Sequence, residues 1–403
     1  MKASRVDFDT AIAMVAAAAP AMPTEVVAVA DALGRVAIAD LFAEAHYPRF
    51  DCAAMDGYAF VAAGTDDASS AAPVTLIICG ESRAGMAAAS GGPGTACRIS
   101  TGAPIPPDFD TVLPRERAVV ADETLVLTEI ERLGRNVRLR GEDALVGDRV
   151  LAAPAIVTPE RIGALSCFGI TRLEVAMRPR LSILPTGDEL AMPVRDAQFT
   201  VFDANGPMIA AMARYLGIEP EIGVPVADNS AALTAALEGA IGRGNDIVLA
   251  TGGVSVGDHD HVPGVMRDLG AEILFHGVSM RPGKPVLAAR LPNGSLFFGL
   301  PGNPVAAAVG FRFFVAAAIR RSQGLSIETG EPVALHHDRM PGTTCILKAR
   351  LERGQQRPVA VRIDFDQRSH TMRPLMDANC WLVIPPLEER NVPAQVFPMA
   401  GRL

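Results

Sequence analysis

The chain has 403 residues, 49% hydrophobic and 20% charged, which suits several compact domains with ample core. A formal net charge of −8 excludes a general binder of nucleic acid or anionic membrane, so any anion site must be a local cluster of Lys, Arg and backbone N–H groups. Six scattered Cys without a CxxC pair, an N-terminus without an apolar signal core, and a longest apolar stretch (305–319) interrupted by Arg312 predict a cytoplasmic protein with no membrane span.

Residues 7–19 predict a helix capped by Asp7 or Asp9 and ended by Pro20. Residues 25–45 are mixed and Ala-rich, with Gly34 as a helix stop. At Tyr47 the texture changes. PRFDCAAMDGYAF, 48–60, gathers Asp51, Asp56, Gly57 and Tyr58 between Phe50 and Phe60. Asp-Gly is a turn dipeptide, which explains Asp56 but not the second acid and the Tyr. Cys97 to Ile99 is a short strand running into the turn at Thr101-Gly102, and Thr111-Val112-Leu113 stops at Pro114 with Arg115 and Glu116 beyond. RNVRLRGED, 135–143, closes this β-rich piece and includes Arg138 and Asp143; a solvated charged face is its default reading. Residues 143–175 favour helix again, with Thr158-Pro159 as a start signal. We therefore expect a split helical domain, 1–45 and 142–176, around an inserted β-rich domain, 46–141.

From 177 to 326 strand and helix patterns alternate, the signature of a doubly wound α/β sheet. Strands are expected at 181–184, 222–226, 247–250, 273–278 and 295–300. Three of them run into Thr186-Gly187-Asp188-Glu189, Thr251-Gly252-Gly253 and Pro301-Gly302-Asn303-Pro304. Ligands of open α/β sheets bind beyond the strand carboxyl ends. The acids there are Asp188, Glu189, Asp228, Asp258 and Asp260; Asp188, Glu189 and Asp260 are the expected metal ligands. The donors are Lys284, Arg281 and backbone N–H groups of Gly252, Gly253 and the helix begun by Asn303 as N-cap and Pro304 as N1. No Walker A sequence occurs, nor GxGxxG after a strand. A phosphate-bearing ligand held with Mg²⁺ is what these residues suit. Residues 327–403 carry short β-like runs and read as a small C-terminal β domain, with Trp381 as a core anchor and His336-His337 pointing to opposite sides of a strand.

The motifs FDCAAMDGYA, RISTGAPIP, RNVRLRGED, PTGDEL, TGGVSVGDHD, RPGKP and FGLPGNPVAA, in this order, resemble the molybdopterin molybdenumtransferases, the MoeA and gephyrin E-domain family. The resemblance spans nearly the whole chain. It implies four domains, with 177–326 as a MogA-like α/β molybdopterin-binding domain, and a homodimer whose site pairs that domain with the partner's β insertion. It implies insertion of molybdenum from molybdate into adenylylated molybdopterin, with Mg²⁺-dependent release of AMP. By motif position Asp260, Glu189 and Asp228 match the family's acids, while Asp56, Thr101, Glu116, Asp143 and Arg138 match residues of the insertion. Asp260, Glu189, Asp56, Thr101 and Lys284 are the catalytic candidates. Gly252, Gly253, Ser255, Asp228, Arg281, Pro301, Gly302, Asn303, Glu116, Arg138 and Asp143 are the substrate-binding candidates. Molybdopterin adenylyltransferase and recipient molybdoenzymes are the implied protein partners.

The chain departs from the pattern at Cys52-Ala53, usually Asn-Ser, at Pro185, usually Ser, and at Arg281, often Lys. Lys348 aligns with a family arginine and Arg373-Pro374 with a serine pair. Losing the planar guanidinium fork weakens an oxyanion site. The alternative reading is thus a paralogue that binds molybdopterin or a molybdoenzyme without efficient metal insertion.

Overall fold

The structure, a computed structural model, describes residues 5–190, 200–253, 261–334, 337–352, 360–363 and 365–401. Asp258, Asp260, Ser255 and His336 lie outside the described residues. No described helix is long and apolar enough to cross a membrane.

Alternation within single strands explains the central layer. In Ile247–Thr251, Ile247 and Leu249 face one apolar cluster and Val248 and Ala250 face another. A strand buried on both faces needs helices on each side. Phe8–Ala18, Asn205–Tyr215 and the long helix from Pro304 cover the first face; Ser230–Gly242 and Val262–Asp268 cover the second. The sheet has six strands in the order Glu221–Ile222, Leu181–Pro185, Ile247–Thr251, Leu296–Leu300, Leu287–Arg290, Glu272–His276. The first four are mutually parallel, and Leu287–Arg290 runs antiparallel to both of its neighbours. Leu287–Arg290 was not expected as a strand. Its sequence, LAAR, is short and Ala-rich, and only pairing on both sides recruits it.

Two expectations about the first 176 residues are corrected. Asp7 does cap the first helix, accepting the Thr10 N–H at 2.8 Å. That helix, however, packs on the α/β core, with Phe8 edge-on to Phe313 at 5.3 Å and to Phe314 at 5.8 Å. Thr24–Ala28, Arg172–Ala176, Val36–Ala37 and Ala155–Ile156 then form a four-stranded antiparallel sheet where mainly helix was expected. Its one α-helix is Pro159–Cys167, capped by Thr158. Val26, Val27, Val36 and Val175 are β-branched residues that a pleated, half-buried surface favours over a helix.

Gly57–Phe60 and Thr95–Ile99 are inner strands of a separate six-stranded sheet. Thr344–Glu352, Cys380–Ile384, Ala394–Pro398 and Glu331–Val333 make the C-terminal sheet, in which Trp381 is 1% exposed and donates its Nε1–H to the Met399 carbonyl at 3.3 Å. Met280–Arg281 leaves the α/β sheet and pairs in parallel with Thr344 and Cys345. The RPGKP segment therefore sits where the two sheets join.

Candidate active site

Register brings the strand-end loops together. Leu181–Pro185, Ile247–Thr251 and Leu296–Leu300 are consecutive parallel neighbours, with Pro185 opposite Thr251 and Thr251 opposite Leu300. Their carboxyl ends open on one edge. The Thr186 hydroxyl donates to the Thr251 carbonyl at 3.1 Å, and the Gly187 N–H to the Val226 carbonyl at 3.2 Å. Asp188 Oδ1 accepts the Asp228 N–H at 3.0 Å, which ties the first loop to the segment carrying Asp228. The Glu189 carboxylate lies against Gly187, where an added Cβ would meet Oε2 at 2.5 Å.

Gly252 holds φ +114°, and a Cβ there would lie 2.7 Å from the Thr186 carbonyl oxygen. Only glycine fits. Its N–H is donated to the Leu300 carbonyl at 2.9 Å, so Gly252 shapes the loop and does not present a bare donor as expected. Gly253, at φ +63°, faces Asp228. A Cβ on Gly302 would stand 3.9 Å from the Gly252 Cα, so the Pro301-Gly302-Asn303 loop touches the glycine pair. Pro301 is buried at the end of its strand.

Asn303 is the helix N-cap and Pro304 follows at N1, but the Asn303 side chain makes no capping bond. Its Nδ2 donates to Ser369 Oγ at 3.3 Å, and the Val305 N–H donates to the Ser369 carbonyl at 3.3 Å. The expectation of an open helix end is corrected here: the C-terminal domain occupies part of it. Lys284 and Arg281 are both exposed on RPGKP. A Cβ on Gly283 would lie 3.7 Å from the Ala306 carbonyl, which puts this segment against the same first helical turn.

The second group lies on the insertion. Asp56 Oδ1 accepts the Thr101 N–H and the Thr101 hydroxyl, each at 2.7 Å. Glu116 follows Arg115, whose N–H donates to the Asp56 carbonyl at 2.9 Å. Arg138 pairs with Glu142 at 2.8 Å and sits over the Tyr47 ring at 5.4 Å. Asp143 is exposed and donates its backbone N–H to the Tyr47 carbonyl at 3.1 Å. The predicted residues that are described thus fall in two regions of the chain, the strand-end loops with the adjoining RPGKP segment and the stretch from Asp56 to Asp143.

The two donors from Thr101, its backbone N–H first, hold the Asp56 carboxyl below the usual carboxylate range, with Arg115 adding to the effect. A depressed folded-state pKa means the contribution to stability is present above the unfolded value and lost as pH falls through the folded one. We expect the Asp56 carboxyl resonance to titrate below a free Asp, and Thr101→Val to move its midpoint upward by removing the hydroxyl donor. An unmoved midpoint would show that the hydroxyl does not hold the charge.

Sequence reasoning missed three contributors. Asn205 is 8% exposed, donates Nδ2–H to the Gly302 carbonyl at 2.8 Å, and leaves Oδ1 without a partner among the described residues. Asn205-Gly206-Pro207 signalled only a helix start. Thr186 was visible inside PTGDEL but carried no signal of its bond to Thr251. Ser369 had none, because its role arises from contact between domains.

The chain matches the family model described as MoeA N-terminal region (domain I and II) over residues 6–169, and that of the probable molybdopterin binding domain over 182–321. It is 35% identical to a molybdopterin molybdenumtransferase of Nostoc over 77% of this chain and 72% of that one. A relative of the same name from Bacillus subtilis is 33% identical over 90% of this chain and 86% of that one. The solved structure of a molybdopterin biosynthesis moeA protein from Pyrococcus horikoshii OT3 is 25% identical, covers 98% of both chains and superposes with a TM-score of 0.78. The two family models and these relatives together mark a protein of molybdenum cofactor biosynthesis. The chain belongs to the molybdopterin molybdenumtransferase family and is an enzyme of that class.

Proposed function

We propose that the enzyme takes adenylylated molybdopterin and molybdate, breaks the phosphoanhydride, releases AMP and leaves molybdenum on the dithiolene. The observation that carries this is the contact of three strand-end loops, with Gly252 pressed between Thr186 and Gly302. Asp228 faces Gly253 and Gly302 meets Gly252, so the proposed site would combine the carboxylates of Glu189 and Asp228 with candidate backbone donors of Gly253, Gly302 and Asn303. A phosphate-bearing substrate needs such mixed surroundings.

Mg²⁺ ordinarily takes one or two carboxylates and completes its shell with substrate phosphates and water. Glu189 and Asp228 supply that many, Asp188 already shares its carboxylate with the Asp228 N–H, and no group of three suitable ligands occurs among the described residues. Asp260 is the further proposed ligand. When bound, the ion would neutralise charge developing on the phosphoanhydride. Gly253 and the Asn303 turn would orient the phosphates. Lys284 and Arg281, both exposed beside the first helical turn, would attract molybdate as substrate. A homodimer would bring the Asp56–Thr101 cluster of one subunit to the strand ends of the other; the proposed division is 1–45 with 142–176, 46–141, 177–326 and 327–403, with the helix Phe8–Ala18 packed on the third of these.

The test is AMP release from adenylylated molybdopterin with Mg²⁺, with and without molybdate. We expect molybdate-dependent release, reduced about 10²–10³-fold in Glu189→Gln by analogy with the loss of one preorganised electrostatic group. Tight binding without turnover would overturn the transferase reading in favour of a carrier.

A further inference from the structure

Lys348 is 1% exposed, which is unusual for an ammonium group. Its Nζ donates to the Arg368 carbonyl at 3.0 Å and to the Thr371 carbonyl at 3.3 Å. Its backbone is held as well. The Lys348 N–H donates to Gln367 Oε1 and Gln367 Nε2 donates to the Lys348 carbonyl, each at 2.9 Å. The segment it grips, 366–371, is braced internally, because the Asp366 carboxylate accepts the Arg368 backbone N–H at 3.0 Å and the Thr371 hydroxyl at 3.3 Å. At its apex Ser369 meets Asn303 and the Val305 N–H, each at 3.3 Å.

We propose that Lys348 is a positioning residue: it holds the 366–371 segment so that Ser369 closes the first helical turn at Asn303 and completes the substrate site. This rests on the strand-end loops being the site of the transferase reaction. The ammonium that a sequence comparison assigns to an oxyanion is spent on two carbonyls. Its charge acts through the segment it braces. Burial lowers the ammonium's pKa and the Asp366 charge opposes that, in keeping with a cation whose partners are internal. Without the ammonium, two carbonyls would be left unpaired beneath the segment, and that favours its release from the helix.

The experiment compares wild type with Lys348→Met, Lys348→Gln and Lys348→Arg by amide hydrogen exchange, with kinetics alongside. In the Met and Gln variants, exchange at 303–308 should rise about tenfold or more while the strand Ile247–Thr251 keeps its protection, since local opening leaves the core closed. KM for molybdate should rise about tenfold with kcat within about twofold, the pattern of a lost binding interaction. The Arg variant should keep both near wild type, because it retains a cation with several N–H donors at this position. Wild-type exchange at 303–308 in a folded Met or Gln variant would overturn the proposal, and so would faster exchange with unchanged KM. If both neutral variants lose protection throughout the α/β sheet, Lys348 is a general stability residue and the positioning role falls. A wild type without turnover would sink the transferase reading alone, because exchange at Val305 reports the brace independently of chemistry.

Discussion

Replacing Gly252 by Ala is expected to lower the proposed AMP release by about 10²-fold, the cost of misplacing the proposed catalytic groups by about an ångström. The physical reason is local. At φ +114° an L side chain is strained, and its Cβ would stand 2.7 Å from the Thr186 carbonyl oxygen and 2.8 Å from its hydroxyl. Both are too close, and both belong to the loop that leads to Asp188 and Glu189. Relief would push the two loops apart and break the 2.9 Å bond from Gly252 to Leu300, which registers the third loop. The same change at Gly294, which has open space around it despite φ +87°, is a control for backbone strain without the clash. Equal activity in the two variants would dismiss the argument.

Arg312→Leu is expected to cost about 3–5 kcal/mol, the range for removing one partner of a buried ion pair. Arg312 is 3% exposed, 2.9 Å from Glu328 in ion-pair contact, and donates Nε–H to the Pro398 carbonyl at 3.0 Å. Its guanidinium also lies 5.3 Å from the Phe313 ring and 5.5 Å from the Phe397 ring. Burial lowers its pKa while Glu328 opposes that, and a guanidinium stays charged throughout. One residue thus ties the long helix to the C-terminal sheet. The urea midpoint of that sheet's fluorescence, from Trp381, should fall sharply in Arg312→Leu. Arg312→Leu with Glu328→Leu should recover much of the loss, since no unpaired carboxylate remains. A single variant as stable as wild type would be evidence that the pair contributes nothing.

The convergence of the strand-end loops was legible because parallel strands translate sequence into position. Thr186 to Glu189, Thr251 to Gly253 and Pro301 to Asn303 each follow an apolar run of strand length, and adjacent parallel strands bring such ends to one edge. Asp56 and Thr101 lie 45 positions apart, and the resemblance grouped them; the structure joins them directly. The strand Leu287–Arg290 and the sheet at Thr24–Ala28 were not legible, since four or five Ala- and Val-rich residues do not distinguish strand from helix without partners.

By itself the sequence determined the alternation that builds the α/β core, the glycines at the strand ends and the motif order that marks the family. Those are local or short-period properties, set by side-chain volume, periodicity and backbone freedom. Tertiary structure decided which donors remain for a ligand. The Gly252 N–H goes to Leu300, the Val305 N–H goes to Ser369, and the Lys348 ammonium goes to two carbonyls 20 and 23 positions away. A hydrogen-bond donor is available only if no buried acceptor claims it first, and packing between distant segments settles that claim.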